Sequence, residues 1–475
     1  MKSKRRSLPI FSKIGYGAGN LGFGIVFQCL AAYLLFYTTA VLGIRGRYIG
    51  TIMAVGILWD AITDPLMGYF SDITYSRKWG KRHLYLLFGI FGIAGFNILL
   101  WQINPTLTEG AKLMAILALF ILLKTALTVY GTPYTALGAE LTEDYNERTE
   151  IQSYKTIAFL IGLAFPMVAG LILFFRPTLN YPIGQLNPSG YRMMGVFTSL
   201  LMVITGIICF LTTYKYRHLQ HGEVKKHTTT LKTSSVSFLE ALKNKFFLFI
   251  FLEYLFVNIS SALIGSIGLH VFTYTFNLQS TQISIIMGAF FGASIVSLPF
   301  WLSVSKKTDK KPAMMSCIKL SLIASFVFFM AVLFREINIL WEIALLPIVA
   351  ALGFGSGGLI MFPPSMIADT IDYEELTNGY RSEGVYFGAL TFGYKIIQSL
   401  VLFVVGFLLD LIGFNAAFSR QATHTSLMLG VILCMGSIFS FVMGYYFLSK
   451  YDLSKEDISR IQNELKKNLA KEGGE

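Results

Sequence analysis

Residues 139–150 read AELTEDYNERTE, and residues 368–383 read ADTIDYEELTNGYRSE. Each stretch closes a long apolar run, and each carries the same order of features. An alanine precedes an acid, an acid stands beside a tyrosine, and Arg-x-Glu follows, as Arg148 with Glu150 and Arg381 with Glu383. Proline precedes both: Pro133 before the first, Pro363 and Pro364 before the second. Basic loops sit at matching places two runs upstream of each. Two halves of six apolar runs, joined by a basic linker, make a parallel internal repeat, the architecture of transporters that rock two halves about a central site.

Working outward, the runs around these stretches are about 20 residues or longer, enough to cross the hydrocarbon core of a bilayer. Twelve are read, at 14–42, 48–70, 84–103, 112–139, 154–175, 193–214, 246–275, 283–304, 313–334, 340–366, 384–410 and 424–449. The expected fold class is therefore an all-α membrane protein with twelve transmembrane helices in two six-helix pseudo-repeats. The halves are placed at 1–214 and 246–449, with a cytoplasmic linker at 215–245 and a cytoplasmic tail at 450–475. Composition agrees: 54% of the 475 residues are hydrophobic and 14% charged, against roughly 25% charged in soluble domains. Mean hydropathy is +0.60, which excludes an ordinary soluble enzyme and a disordered chain. No segment shows the short alternating pattern of a membrane β-barrel.

The net charge of +12 would suggest nucleic acid in a soluble protein. Here the basic residues lie between apolar runs and read as topology signal, so no nucleic-acid partner is expected. With the N-terminus inside, 29 of the 39 Lys and Arg fall in inner segments and 7 in outer loops. That asymmetry puts both termini in the cytoplasm, with the chain in an inner or plasma membrane. The basic start MKSKRRSLPIFSK leads into a long run with no small-residue cleavage site, and so into a first membrane helix rather than a signal peptide. Cys29, Cys209, Cys317 and Cys434 have neither metal-ligand nor disulfide spacing. In the tail, Leu453, Ile458, Ile461, Leu465 and Leu469 have helical spacing, and Ser454 with Asp457 has capping-box spacing. A short amphipathic helix is expected there, on the inner membrane face or on the protein.

Charges inside lipid are informative because each costs roughly 2.5–3.5 kcal/mol at a helix centre. Run 2 carries two, in Trp59-Asp60-Ala61-Ile62-Thr63-Asp64-Pro65. Asp60 and Asp64 share one helix face, and two such carboxylates persist when a cation sits between them. Hard oxygens suit Na⁺ or H⁺, and no other metal or cofactor is expected. A buried salt bridge that only holds helices together is the compatible plainer reading. Lys395, flanked by Thr391 and Gln398, lies near the middle of run 11 and requires an acidic partner, which run 2 supplies. Lys124 lies in the middle of run 4, one turn before Thr128. Its ammonium either reaches the pocket of the run-2 acids or grips an anionic group on the solute. Tyr16, Asn20 and Gln28 of run 1, with Gln398, are candidate cavity residues; Tyr33 and Tyr37 line the cavity or an interface belt. Glu253 and His270 stand isolated in run 7. Asp72 faces a loop with Arg77, Lys78, Lys81 and Arg82, a gating latch matched in the second half by Arg381 and Glu383.

These motifs together resemble the major facilitator superfamily, whose signature loop has the Gly-x-x-x-Asp and Gly-Lys-Arg seen from Gly68 to Arg82. More narrowly, WDAITDP, RKWGKRH and DTIDYEELTNGYRSEG followed by Lys395 resemble the glycoside–pentoside–hexuronide:cation symporters, its melibiose-permease-like branch. The resemblance spans nearly the whole chain. It implies the major facilitator fold, cation binding by Asp60, Asp64 and Thr128, and charge pairing near the same site by Lys395. Sugar-binding members carry an aspartate in helix 1 and another in helix 4; the matching positions here are Gly24 and Gly131, and Thr135 replaces an aromatic platform. Sodium-coupled lysophospholipid carriers share WDAITDP and also lack that sugar grip.

The expectation is a secondary active transporter, a monomer in the bilayer, moving a glycoside or sugar-like solute with Na⁺ or H⁺ by alternating access. An amphiphilic carboxylate or lysophospholipid is the alternative solute. A non-transporting receptor or scaffold is the rival class, disfavoured by charges as costly as Asp60, Asp64, Lys124 and Lys395. No nucleophile–base pair or metal cluster points to an enzyme.

Overall fold

The computed structural model describes residues 8–74, 76, 78–142, 144–217, 241–337, 340–379 and 383–472. Within them lie twelve helices long and apolar enough to cross a membrane. They are α1 Ile10–Phe36, α2 Gly46–Ile73, α3 His83–Leu100, α4 Glu109–Glu140, α5 Tyr145–Phe165 and α6 Pro188–Tyr214. The second series is α7 Lys245–His270, α8 Ser280–Thr308, α9 Lys310–Leu333, α10 Trp341–Asn378, α11 Glu383–Leu411 and α12 Thr423–Ser449. A thirteenth, α13 Lys455–Glu472, is the amphipathic tail. Large apolar side chains such as Phe88, Met114, Leu211 and Val296 stand exposed on the outer faces of these helices, as lipid-facing positions require.

The chain packs into two compact units. One holds Met1–Lys226, Gln279–Ser284 and Leu402–Gln421; the other holds His227–Leu278, Ile285–Val401 and Ala422–Glu475. The units cut across the sequence halves, because the end of α11 packs with the first: Asp410 accepts hydrogen bonds from the amides of Gly46 (2.7 Å) and Arg47 (3.3 Å), capping α2. In the first unit α1 packs on α5 and α6, and α3 on α4 and α6. In the second unit α7 packs on α12, and α9 on α10 and α12. The pairings α1–α6, α3–α4 and α3–α6 thus recur as α7–α12, α9–α10 and α9–α12.

The repeat also appears in backbone detail. α1 ends in a π turn, Tyr37–Val41, and α7 in another, Val271–Thr275. After each, the chain makes the same pair of bonds: Leu42 N to Tyr37 O (2.9 Å) with Ile44 N to Thr38 O (3.0 Å), and Phe276 N to Val271 O (3.3 Å) with Leu278 N to Phe272 O (3.0 Å). The next helix starts two residues on in both halves, at Gly46 and at Ser280. In that register Pro65 of α2 falls opposite Pro299 of α8. Hydroxyls that bond back to the preceding turn, Thr38 to Leu34 O (2.7 Å) and Thr39 to Leu35 O (2.6 Å), help loosen the helix there.

Two expected loops are largely helix. α10 runs on to Asn378, so Ala368–Asn378 is helical, and Gly379 ends it in the left-handed region at φ 75°. α5 begins at Tyr145, leaving four residues between it and α4. Hydropathy ends these helices early because they leave lipid before they stop being helical. The tail helix lies on the protein. Ser454 and Asp457 form the capping box, with the hydroxyl on Asp457 at 2.6 Å and the Asp457 amide on Ser454 Oγ at 3.2 Å. Ile461 is buried in the second unit's core with Tyr451, Leu453 and Phe247, and Gln462 donates to Asp372 (3.0 Å). Between α8 and α9, Asp309 takes φ 111° and caps two helices at once, accepting from the amides of Lys310 (2.5 Å) and Lys455 (2.9 Å).

Candidate functional site

α2 and α4 lie side by side because Gly56 leaves room for the ring of Phe120. Three side-chain bridges cross the seam between them. Trp59 Nε1 donates to Thr125 Oγ1 (2.9 Å), Lys124 Nζ meets Asp60 Oδ2 (2.6 Å), and Thr128 Oγ1 donates to Asp64 Oδ1 (2.7 Å). Asp60 and Lys124 are both buried, at 8% and 7% exposure, so the pair cannot be a snorkelling contact with water. Lys124 Nζ also lies 5.8 Å from the centre of the Phe120 ring. The seam's three bridges therefore bring two carboxylates, one ammonium, two hydroxyls and an indole together within a single pair of membrane helices. Lys124 and Thr128 were both pointed out by the sequence; that the ammonium sits on Asp60 itself was not.

The helix-1 candidates fall in packing seams. Tyr16 is fully buried, stacked on Tyr134 at 4.6 Å with nearly parallel rings, and donates to Tyr134 O (3.1 Å). Its expected place on a cavity wall gives way to an α1–α4 contact. Asn20 Nδ2 donates to Lys155 O (3.2 Å), tying α1 to α5, and Gln28 is half-buried. Tyr33 and Tyr37 line neither cavity nor belt: they are buried in an aromatic cluster with Trp101, Phe175 and Tyr191. Gly24 is one point where α1 and α5 touch, against Phe159 and Gly162. Gly131 faces the ring of Phe23, which groups with Phe27, Phe159 and Tyr130. The two positions where sugar-binding relatives of the resemblance carry acids are thus apolar and aromatic here. Lys155, on α5, donates to Thr135 Oγ1 (3.1 Å) and lies 5.6 Å from the Tyr134 ring centre.

In the second unit, Lys395 and Gln398 are half-buried on α11, and Thr391 Oγ1 bonds back to Phe387 O (3.1 Å). Glu253 is fully buried on α7, with neither carboxylate oxygen hydrogen-bonded among the described residues. His270 is fully buried at the end of the same helix.

The latch of the first unit centres on Arg82. Its guanidinium reaches Asp72 (2.5 Å), Glu140 (2.6 Å) and the hydroxyl of Ser71 (2.5 Å). Burial works against its charge, but Glu140 and Asp72 outweigh that and hold its pKa above the ordinary guanidinium value. Sequence spacing found Asp72; Glu140, at the far end of α4, was visible only as part of the repeated acidic stretch. The second unit has the same device, Lys310 on Asp369 at 2.6 Å. Glu383 lies exposed in the first turn of α11, and Arg381 lies outside the described residues. At the start of α5, Glu147 accepts from the Leu8 amide and the Thr142 hydroxyl, both at 2.6 Å, and Lys13 bridges Glu147 (3.2 Å) and Glu150 (2.6 Å).

Residues 15–455 match a protein family described as MFS/sugar transport protein. The chain is 29% identical over 432 residues to the uncharacterized symporter YjmB of Bacillus subtilis, covering 88% of this chain and 87% of that one. It is 25% identical over 429 residues to the isoprimeverose transporter of Lactiplantibacillus pentosus, covering 88% and 84%. Among solved structures it resembles the xylose transporter XylE of Escherichia coli in its inward-open conformation, with a TM-score of 0.63, 13% identity, and coverage of 95% of this chain and 98% of that one. At that identity the likeness speaks for the fold alone.

Proposed function

The chain belongs to the MFS/sugar transport protein family, in its glycoside–pentoside–hexuronide:cation branch, and from that premise we propose that it is a secondary active transporter that moves a glycoside or sugar-like solute together with a cation by alternating access. One observation carries the reading: the α2–α4 seam, where Asp60 meets Lys124 and Asp64 accepts from Thr128 inside membrane helices. A scaffold has no use for charges that cost so much to bury. A transporter uses them, because their balance changes when a cation or proton joins or leaves. In the proposal Asp60, Asp64 and Thr128 form the cation-responsive group and Lys395 is a further coupling residue. Arg82 with Asp72, and Glu383 with Arg381, serve the gates. The Lys and Arg distribution supports cytoplasmic termini, and in the proposal the coupling ion is Na⁺ or H⁺.

One feature favours a second solute class, an amphiphile such as a lysophospholipid. Phe23, Phe27 and Phe159 make an apolar wall beside Gly24 and Gly131, where a sugar grip would need acids. Proteoliposomes separate the readings. Uptake from a panel of glycosides, pentosides, uronates and lysolipids, with and without Na⁺ and pH gradients, is expected to show gradient-driven accumulation of a sugar-like solute. Accumulation of lysolipid alone would select the second reading. No accumulation or exchange of any solute would return the protein to the scaffold class.

A further inference from the structure

We infer that Lys124 stands in for a sodium ion at Asp60, so that solute movement by this chain proceeds without Na⁺; the transport clause rests on the function proposed above. A sodium site needs several hard oxygens and the negative potential of both acids. Here the Asp60 carboxylate already holds an ammonium at 2.6 Å, and both partners are buried. Three charges then stand in the seam, Asp60, Asp64 and Lys124, for a sum of −1 where the two acids alone would give −2. Half of the charge that would attract a free cation is cancelled by one the protein supplies.

The ammonium is tethered and does not dilute. Its stem rises from α4, and its head lies between Asp60 and the Phe120 ring. A sodium ion from solution must displace it, and tethering favours the resident group by on the order of a hundredfold or more. The alternative role for Lys124, gripping an anionic group on the solute, would require the ammonium to give up a 2.6 Å contact with a buried carboxylate. Nor is the charge set a general part of the scaffold. In the register fixed by the paired π turns and prolines, Asp60 and Asp64 fall opposite Ser294 and Leu298 of α8. The acids and their lysine belong to one half only.

The test uses the purified full-length chain as wild type, Lys124→Ala, Lys124→Arg and Asp60→Asn/Lys124→Ala. Equilibrium binding of radioactive Na⁺, and the shift of unfolding temperature in NaCl against choline chloride, are measured alongside solute counterflow in proteoliposomes. Wild type and Lys124→Arg are expected to show no saturable Na⁺ binding, and wild-type counterflow to be equal in Na⁺ and choline. Lys124→Ala is expected to gain a saturable site, with apparent affinity raised at least about a hundredfold, and Asp60→Asn/Lys124→Ala to lack it. Saturable Na⁺ binding by the wild type that Lys124→Ala leaves unchanged overturns the inference. So does Na⁺-stimulated counterflow by the wild type, a result that would leave the transporter reading standing. Because the wild-type arms decide by themselves, a poorly folded Lys124→Ala does not rescue it. Absence of counterflow for every solute would defeat the transporter reading, and Na⁺ binding would still decide what Lys124 does.

Discussion

At one pair of matching positions the two halves of this chain are alike, and at another they are not. At the cytoplasmic side in the proposed topology, Arg82 on Glu140 and Lys310 on Asp369 repeat one device: a cation at the start of the third helix of each half, against the acid that follows alanine in the repeated acidic stretch of the fourth. In the middle of the membrane the halves diverge. α2 carries Asp60 and Asp64 against Lys124 and Thr128, while the corresponding stretch of α8 carries Ser294 and Ser297, with the Ser297 hydroxyl on Ser294 O at 2.8 Å and Gly357 close against both. What both halves share holds the scaffold together. What one half alone keeps at these matching positions, at the cost of buried charge, is the part proposed to respond to the cation.

The largest expected effect lies on the charged side of that contrast. Asp64→Asn is expected to abolish gradient-driven accumulation while leaving exchange in part; accumulation at the wild-type level would break the assignment of coupling to the first half. Next is Lys124→Ala, which takes the ammonium from the buried Asp60 carboxylate and is expected to cost about 3–5 kcal/mol of stability. Adding Asp60→Asn should recover most of that loss, read from thermal unfolding in detergent, and a failure to recover would mean the seam is held by something other than charge. The shared latches should respond alike. Arg82→Gln and Lys310→Gln are each expected to slow turnover several-fold with apparent affinity for solute little changed, and a loss in affinity alone would separate the two devices. Glu253→Gln, on α7, should leave transport within about twofold, since it exchanges one buried polar group for another of like shape. Loss of coupling there would give α7 a charge role beside the one proposed for Lys395.

The smallest effect is a pH dependence. Burial pushes the Glu147 carboxyl up, but Thr142, the Leu8 amide and Lys13 outweigh it and hold its pKa below the usual carboxylate value. A depressed folded-state pKa contributes stability above the unfolded value and loses it as pH falls through the folded one. The tether of Leu8 to α5 is therefore expected to persist at neutral pH and to loosen only in acid, below about pH 4. Hydrogen exchange at Leu8 across that range reads it, and loosening that begins near neutrality would contradict the assignment.

Much of this was legible in the sequence because lipid imposes coarse rules. Twelve apolar runs, the paired acidic stretches and the intramembrane charges could be read from composition and spacing alone. The helical course of Ala368–Asn378 could not, since a polar helix leaving the membrane loses the hydropathy signal but not its hydrogen bonds. Nor could the placing of Tyr16, Tyr33 and Tyr37. In a helix apolar on every side, sequence gives no stripe to say which face meets a neighbour, and all three turned out to be packed inside. Lys124 shows the limit most clearly. Its need for a partner followed from position, but two acids one turn apart are equally near on a helical wheel, and only the crossing of α2 and α4 selects Asp60.

The turn at Asp309 serves two helix starts at once. One oxygen of its side chain caps α9 and the other takes the first amide of α13 beside the Ser454–Asp457 capping box, and the residue must hold φ 111°, where side chains are rarely at ease. The substitutions it tolerates are correspondingly few. Asparagine keeps an acceptor but surrenders one of the two caps in strength. Glycine relieves the backbone and loses both caps, and alanine fails on every count. A saturation library at this one position, scored for folded protein, should therefore rank aspartate first, asparagine and glycine next, and leave little else.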